Sequence, residues 1–416
     1  MTLILSSSVV MLNTISVQAE TTDSTSTSTY TDDTGTATTD KRIKVKLDNI
    51  REIMVEHSLN LKKYQNNLKI AKENYEYYLD EYGSISDLED NLSTTKDKID
   101  NFTLETDEET GETNESELNA YESEYKTYQS QLNSMIGYKY DYKKAKKDYV
   151  NNVETAVYTA QSDYLNYLVT LSNKELQEDK AKADKRDANI AKISYDSGFK
   201  AKKDYISSTI TSTASDNTLI DYTNAEVLAK TKLCNELGVD EKKVIFEVDI
   251  TEDFQKIASI NYNNDLKTML SNNIDIQEVK DTISEAEDKN DITEDYQLED
   301  DEDSDASDHS DTIYDYNMEN NKINLKQAKE NAEADFKGQY NTLINDYNTI
   351  KNSYDKLIEE QAEYKVKQVK NDYGFLSNND LDDAKLTLDT DTATFIKNRN
   401  ACYLAYLKYI QMKEGY

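Results

Sequence analysis

The chain has 416 residues, with no proline, no tryptophan, 9 glycines and 32 tyrosines, a vocabulary that argues against turn-dense sheet folds, collagen and Pro-rich linkers. Its 82 acidic against 48 basic residues leave a net charge of −34, which repels a phosphate backbone and disfavours nucleic acid as a partner. A hydrophobic content of 37% is thin for a globular core but sufficient for long amphipathic helices, whose apolar surface is a single stripe.

Residues 1–19, MTLILSSSVVMLNTISVQA, are uncharged, moderately apolar and close on the small-residue pattern Val17-Gln18-Ala19. They read as a signal peptide, so the chain is expected to be exported. Residues 20–42 form a Ser/Thr-rich leader, too polar to fold. Beyond them no window approaches 18 consecutive apolar residues, so no transmembrane helix is predicted.

A first structural repeat is expected over 43–240. It opens with a helix at about 46–80, followed by a polar, irregular insert at about 82–135 in which Glu108, Glu109, Gly111 and Glu112 mark a loop. A long helix follows at about 140–197, then a glycine turn at Gly198 and a closing helix at about 203–237. Residues 241–261 are a connector. The second repeat, 262–416, carries an acidic insert at about 289–317 that includes Glu299-Asp300-Asp301-Glu302-Asp303.

In the second repeat Phe336, Tyr340, Leu343, Tyr347, Ile350, Tyr354, Leu357, Gln361 and Tyr364 alternate at spacings of four and three, the mark of a coiled-coil seam. After Gly374, Leu381, Leu388, Phe395, Cys402 and Tyr409 recur every seven residues. Gly374 supplies a helix stop, and Ser377 with Asp380 supplies an N-cap box for the return helix. An antiparallel helical hairpin follows from these signals.

The two halves repeat one plan. Ile193-Ser-Tyr-Asp-Ser-Gly198-Phe199 with Asp204 lines up with Val369-Lys-Asn-Asp-Tyr-Gly374-Phe375 with Asp380, 176 residues later. Ala156, Tyr164 and Leu228-Ala229 match Ala332, Tyr340 and Leu404-Ala405 at the same shift. Upstream, Met54, Leu59, Leu61, Leu68 and Ala71 match Met269, Ile274, Ile276, Ile283 and Ala286 at a shift of 215, so the first insert is the longer one. The expected fold is all-α: long antiparallel coiled-coil hairpins in two tandem structural repeats, with little or no β. The opening and closing helices, roughly 52 Å each at 1.5 Å per residue, are the right lengths to lie end to end along one long partner of roughly 87 Å.

Catalytic patterns are missing. His57 falls on a predicted helix and His309 in the acidic loop, so no histidine pair serves a zinc site or a triad. No phosphate-binding glycine motif and no nucleophile elbow occurs. Cys402 lies on the seam as a small hydrophobe, and with Cys234 it makes neither a disulfide framework nor a metal site. The run Asp303-Ser-Asp305-Ala-Ser-Asp308-His309-Ser-Asp311 lacks the glycine and the closing glutamate of a calcium loop and reads as a solvated linker. The tyrosines read mainly as seam residues. Lys200, Lys202 and Lys203 form a basic cluster beside the first turn, read as a solvated turn or as a contact for an acidic partner. The chain is expected to be non-enzymatic and to need no cofactor.

The duplicated plan, the glycine turn with its following acid, and the Leu237-Gly238-Val239 close of the first half resemble the TolC family of outer-membrane efflux proteins over about 43–414. In that family the first helix of each half opens on an Asn-Asn-Pro-x-Leu-like stretch. Here the counterparts are His57-Ser58-Leu59-Asn60-Leu61 and Asn272-Asn273-Ile274-Asp275-Ile276, both without the proline. The resemblance implies a homotrimer whose hairpins build a twelve-helix export duct in the cell envelope. It also implies docking, through the hairpin tips, onto a periplasmic-type adaptor protein that links the duct to a pump. By position the tips are Gly198, Phe199, Gly374 and Phe375, with Asp204 and Asp380 at the starts of the return helices. The family's inserts carry strands of a membrane barrel, whereas these inserts are polar and acidic and cannot face lipid. The barrel is therefore expected to be missing. The rival expectation is a secreted coiled-coil surface or scaffolding protein with no transport role.

Overall fold

The structure is a computed structural model that describes residues 42–105, 113–247, 254–296 and 305–416. The signal peptide 1–19, nearly all of the leader, the loop markers Glu108, Glu109, Gly111 and Glu112, and the run Glu299-Asp300-Asp301-Glu302-Asp303 lie outside the described residues. In chain order the elements are β1 (Ile43–Val45), α1 (Ile50–His57), α2 (Leu59–Tyr82), α3 (Ile85–Asp100), α4 (Glu115–Asp196), α5 (Lys202–Leu237), β2 (Val244–Phe246), α6 (Gln255–Ala258), α7 (Tyr262–Asn272), α8 (Ile274–Asp295), α9 (Asp305–Asp372) and α10 (Asn378–Lys413). Among the described residues the fold is all-α apart from one parallel strand pair, Ile43 with Val244 through Val45 with Phe246. That pair ties the start of the first repeat to the connector.

The seam residues explain the pairing of the long helices. On α9, Phe336, Leu343, Ile350 and Leu357 are buried, and the alternate positions Tyr340, Tyr347, Tyr354 and Tyr364 are half-buried. One stripe of a 68-residue helix thus packs on α10, where Cys402 and Tyr409 are fully buried. Each large side chain removed from water contributes about 1.5–3 kcal/mol. The pairing is antiparallel: Gln339 donates to the Ala405 carbonyl at 2.8 Å, and Lys356 meets Asp391 at 2.6 Å nearer the turn. The first hairpin repeats the arrangement, with Lys232 on Asp163 at 2.8 Å and Gln177 on Ser215 at 3.0 Å.

α5 covers the turn-proximal part of α4, and α2 takes the next stretch, where Tyr78 stacks on Tyr138 with ring centroids 4.0 Å apart and Tyr75 stacks on Tyr142 at 5.7 Å. Arg51 on α1 forks onto both oxygens of Glu154. A main core runs through Met54, Tyr164, Leu233, Phe336 and Tyr409 and joins both repeats.

Three expectations need correction. The opening helix of each repeat is broken rather than continuous: Ser58 (ψ 126) separates α1 from α2, and Asn273 (ψ 124) separates α7 from α8. The break makes room for a glycine from the end of the return helix. A Cβ on Gly238 would lie 2.3 Å from the His57 carbonyl oxygen, and one on Gly415 would lie 2.3 Å from that of Asn272.

The first insert is largely helical, not irregular. Ser84 and Asp87 cap α3 reciprocally. Leu88 and Leu92 then pack with Tyr125, Leu132, Met135, Ile136 and Ile292 into a second core, so α4 starts at Glu115, well before 140. The second insert is also shorter than expected. α8 continues to Asp295 and α9 begins at Asp305, which puts Asp308, His309 and Asp311 on a helix instead of in a linker; acidic residues suit a helix N-terminus.

The paired helical tips as a candidate functional site

α4 and α9 end in the same way. Gly198 takes φ +79 and Gly374 φ +78, the left-handed region that favours glycine. Phe199 N–H donates to the Ser194 carbonyl at 2.8 Å and Gly198 N–H to that of Tyr195 at 2.9 Å. Phe375 and Gly374 repeat the two bonds to Lys370 and Asn371 at 2.7 and 2.8 Å. Both tips are Schellman closures. Nothing lies within 4 Å of a Cβ built at either glycine, so backbone conformation and not crowding calls for glycine there.

The turn throws the next side chain outward. Phe199 is 89% exposed and Phe375 82%, and Ile193, Val369 and Tyr373 beside them are also exposed. Apolar groups clustered at a protruding end mark a contact surface.

The return helices start differently. At α10, Ser377 Oγ accepts from Asp380 N–H at 3.1 Å and donates to its carboxylate at 2.7 Å. At α5, Ala201 holds the N-cap position without a side-chain bond, and Asp204 sits in the first turn with its N–H on the Ala201 carbonyl at 3.0 Å. Tyr195 and Tyr205 stack below the first tip, centroids 5.6 Å apart. Asn371 braces the second tip by donating to the Leu376 carbonyl at 3.0 Å and to Asn378 at 2.9 Å. Lys200, Lys202 and Lys203 are exposed at the first tip alone.

The two hairpins are tied together below the tips. Arg186 on α4 reaches Asp382 at 3.0 Å and Asp383 at 2.7 Å on α10, and its own neighbour Asp187 at 3.1 Å. The bond to Asp383, with the other two carboxylates, keeps the guanidinium more firmly protonated than usual. Lys385 on α10 returns to Asp179 on α4 at 3.1 Å. Burial works against the Asp179 carboxylate, but the bonds from Lys182 and Lys385 outweigh it and hold its pKa below the ordinary value. Sequence reasoning passed over Arg186, although it is one of four arginines in a chain whose other cations are lysines. It also missed Gly415, the counterpart of Gly238.

Among the described residues no group of three or more His, Cys, Asp or Glu is placed to hold a metal ion, and no helix is long and apolar enough to cross a membrane. Cys234 and Cys402 are buried and unpaired with each other. Burial pushes their thiols up to about 11 and about 12.

No protein-family model matches this sequence, and no curated protein does. Solved structures do match its shape. The outer membrane protein VceC of Vibrio cholerae aligns over 89% of this chain and 96% of its own, at 10% identity and a TM-score of 0.54. A membrane protein of Pseudomonas aeruginosa aligns over 90% and 92%, at 8% identity and a TM-score of 0.60. The CmeC outer membrane channel of Campylobacter jejuni aligns over 89% and 85%, at 11% identity and a TM-score of 0.56. The chain has the TolC-type fold. In this TolC-type chain much of what the structure describes at both insert positions is helical: Ile85–Asp100, the start of α4, the end of α8 and the start of α9.

Proposed function

We propose that the protein is a TolC-like, non-enzymatic component of a cell-envelope export system. It is exported, assembles as a homotrimer into a helical conduit, and meets an adaptor protein of a transporter through Gly198-Phe199 and Gly374-Phe375. The conduit is passive, and the energy comes from the partner pump. Residues 43–240 and 262–416 act as the two repeats, joined by the connector 241–261.

The observation that carries this reading is the pair of matching tips, each presenting an almost fully exposed phenylalanine at the end of a hairpin. Support comes from the shared fold, since CmeC and the MtrE protein of Neisseria gonorrhoeae are outer membrane channels. Helical inserts favour a conduit without a membrane barrel of its own, because barrel strands need about 9–11 residues each.

The experiment is light scattering and negative-stain imaging of the exported chain, beside the double variant Phe199→Asp, Phe375→Asp. Ring-shaped oligomers in both, with adaptor binding lost only in the variant, are expected. A monomer at micromolar concentration overturns the conduit. The helical inserts give the second reading, a coiled-coil scaffold at the cell surface, its one specific observation; that reading takes over if no oligomer forms.

A further inference from the structure

The chain has no tryptophan, and its two cysteines are buried and unpaired with each other. Tyrosine is therefore the side chain that most readily gives up a single electron to an oxidant in solution. Among the described residues the closest pair of tyrosine rings is Tyr78 on α2 with Tyr138 on α4. Their centroids are 4.0 Å apart and their planes 6° from parallel, against 4.9 Å and 37° for Tyr262 with Tyr340 and 5.7 Å and 21° for Tyr75 with Tyr142. Both rings are half-buried, so neighbours hold them while their edges stay open to solvent.

The two hydroxyls also meet. Their hydrogen bond, with some burial, pushes Tyr138 up to about 12. Parallel rings whose hydroxyls touch must point the same way. The carbons flanking the hydroxyl of one ring then overlie those of the other, and these ortho carbons are where two phenoxyl radicals join.

We infer that Tyr78 and Tyr138 are a site of oxidative cross-linking, a dityrosine bond that staples α2 to α4 within one copy. The co-reactant is a one-electron oxidant of the haem-peroxidase class, regenerated by hydrogen peroxide. Each phenol gives the oxidant one electron and releases its proton to water. The two radicals form one carbon–carbon bond between ortho positions, and the hydrogen on each of these carbons moves as a proton to its ring oxygen, restoring both phenols. In sum the protein loses two hydrogen atoms and one peroxide becomes two waters. The bond links the segments that enter and leave the first insert, and it closes the rim of the second core around Leu88, Leu132 and Met135, against which both rings pack. A link across a long loop restricts the unfolded chain as a disulfide does. Because the pair lies inside one copy, the inference does not depend on the conduit.

The test treats the full exported chain, in dilute solution, with hydrogen peroxide and a haem peptide of peroxidase activity. One dominant intrachain product is expected: the tryptic peptide that starts at Glu73 joined to the one that ends at Lys139, two hydrogens lighter than their sum. Fragment ions should place the bond on Tyr78 and Tyr138. Because the pair is held in contact, dityrosine fluorescence should fall roughly tenfold in Tyr78→Phe and in Tyr138→Phe, which keep the stacked rings. It should stay unchanged in Tyr316→Phe, although that ring is 62% exposed. Cross-links spread over exposed tyrosines such as Tyr316 and Tyr373, or equal fluorescence in all variants, overturn the site. So does a chain of full helicity by circular dichroism that yields no dityrosine. Each of these outcomes leaves the export reading untouched.

Discussion

Five glycines take positive φ, and what a methyl group would meet separates the four at the ends of the hairpin helices into two pairs. At Gly198 and Gly374 there is open space, and at Gly238 and Gly415 a neighbouring carbonyl sits at 2.3 Å. Gly374→Val therefore pays mainly for the left-handed conformation, about 1–2 kcal/mol, and should lower the melting temperature modestly. Gly238→Ala adds a backbone collision to the same strain and should reach or exceed about 3 kcal/mol. Urea unfolding followed by circular dichroism ranks the two, and a smaller cost for Gly238→Ala would show that His57 does not approach as described. The cysteines give a second expectation at this scale. With thiols raised to about 11 and about 12 by burial, neither should react with iodoacetamide at mildly alkaline pH until urea unfolds the chain.

At the scale of elements, the breaks at Ser58 and Asn273 explain how both repeats do without the proline of the Asn-Asn-Pro-x-Leu pattern. Leu59 and Ile274 each hold the first helical position after an extended residue, where proline is normally accepted. Leu59 is 75% exposed, so Leu59→Pro should be neutral or stabilise by about 0.4–1 kcal/mol through the unfolded chain. Ile274 N–H instead donates to the Gly415 carbonyl at 2.9 Å, and Ile274→Pro should cost about 1–3 kcal/mol by leaving that acceptor unpaired. Melting temperatures that move the same way in both variants would contradict this asymmetry. These breaks show where sequence reading stopped. The long helices were legible because Phe336, Leu343, Ile350 and Leu357 state one seam over and over, and Gly374 with Ser377 and Asp380 states its end. The break at Ser58 was not legible, because it is caused by Gly238, 180 positions away. α3 was hidden because two leucines four apart lie among acids that look like linker, and they gain meaning only against Met135 and Ile136. The tips were legible as turns from their glycines, whereas the Arg186 tie needed the two hairpins side by side.

At the scale of the whole molecule, a few of the 32 tyrosines are buried beside the aliphatic core, and several fasten distant parts of the chain by their hydroxyls. Tyr125 donates to the Tyr296 carbonyl at 2.6 Å across the inserts, Tyr140 to Asp288 at 3.0 Å, and Tyr409 to Asp265 at 2.8 Å between the ends of the second repeat. Tyr164 donates to the Glu247 carbonyl beside the strand pair. Burial pushes Tyr125, Tyr140 and Tyr167 up to about 12, and Tyr164 and Tyr409 higher still. A folded pKa above the unfolded value of about 10 means that the unfolded chain releases protons which the native state retains. The stability these phenols supply is complete below pH about 10 and is lost as pH rises toward about 12 and beyond. Spectrophotometric titration should then show two populations of phenolate. Exposed tyrosines ionise first with helicity intact, and the buried ones ionise later, in step with the loss of the far-ultraviolet signal. Tyr409→Phe keeps the ring and removes the ionisable hydroxyl that holds Asp265. It should lower stability at neutral pH by about 1–3 kcal/mol, with a smaller deficit above pH 10. A single smooth titration of all tyrosines with helicity unchanged would mean that these hydroxyls do not fasten the repeats.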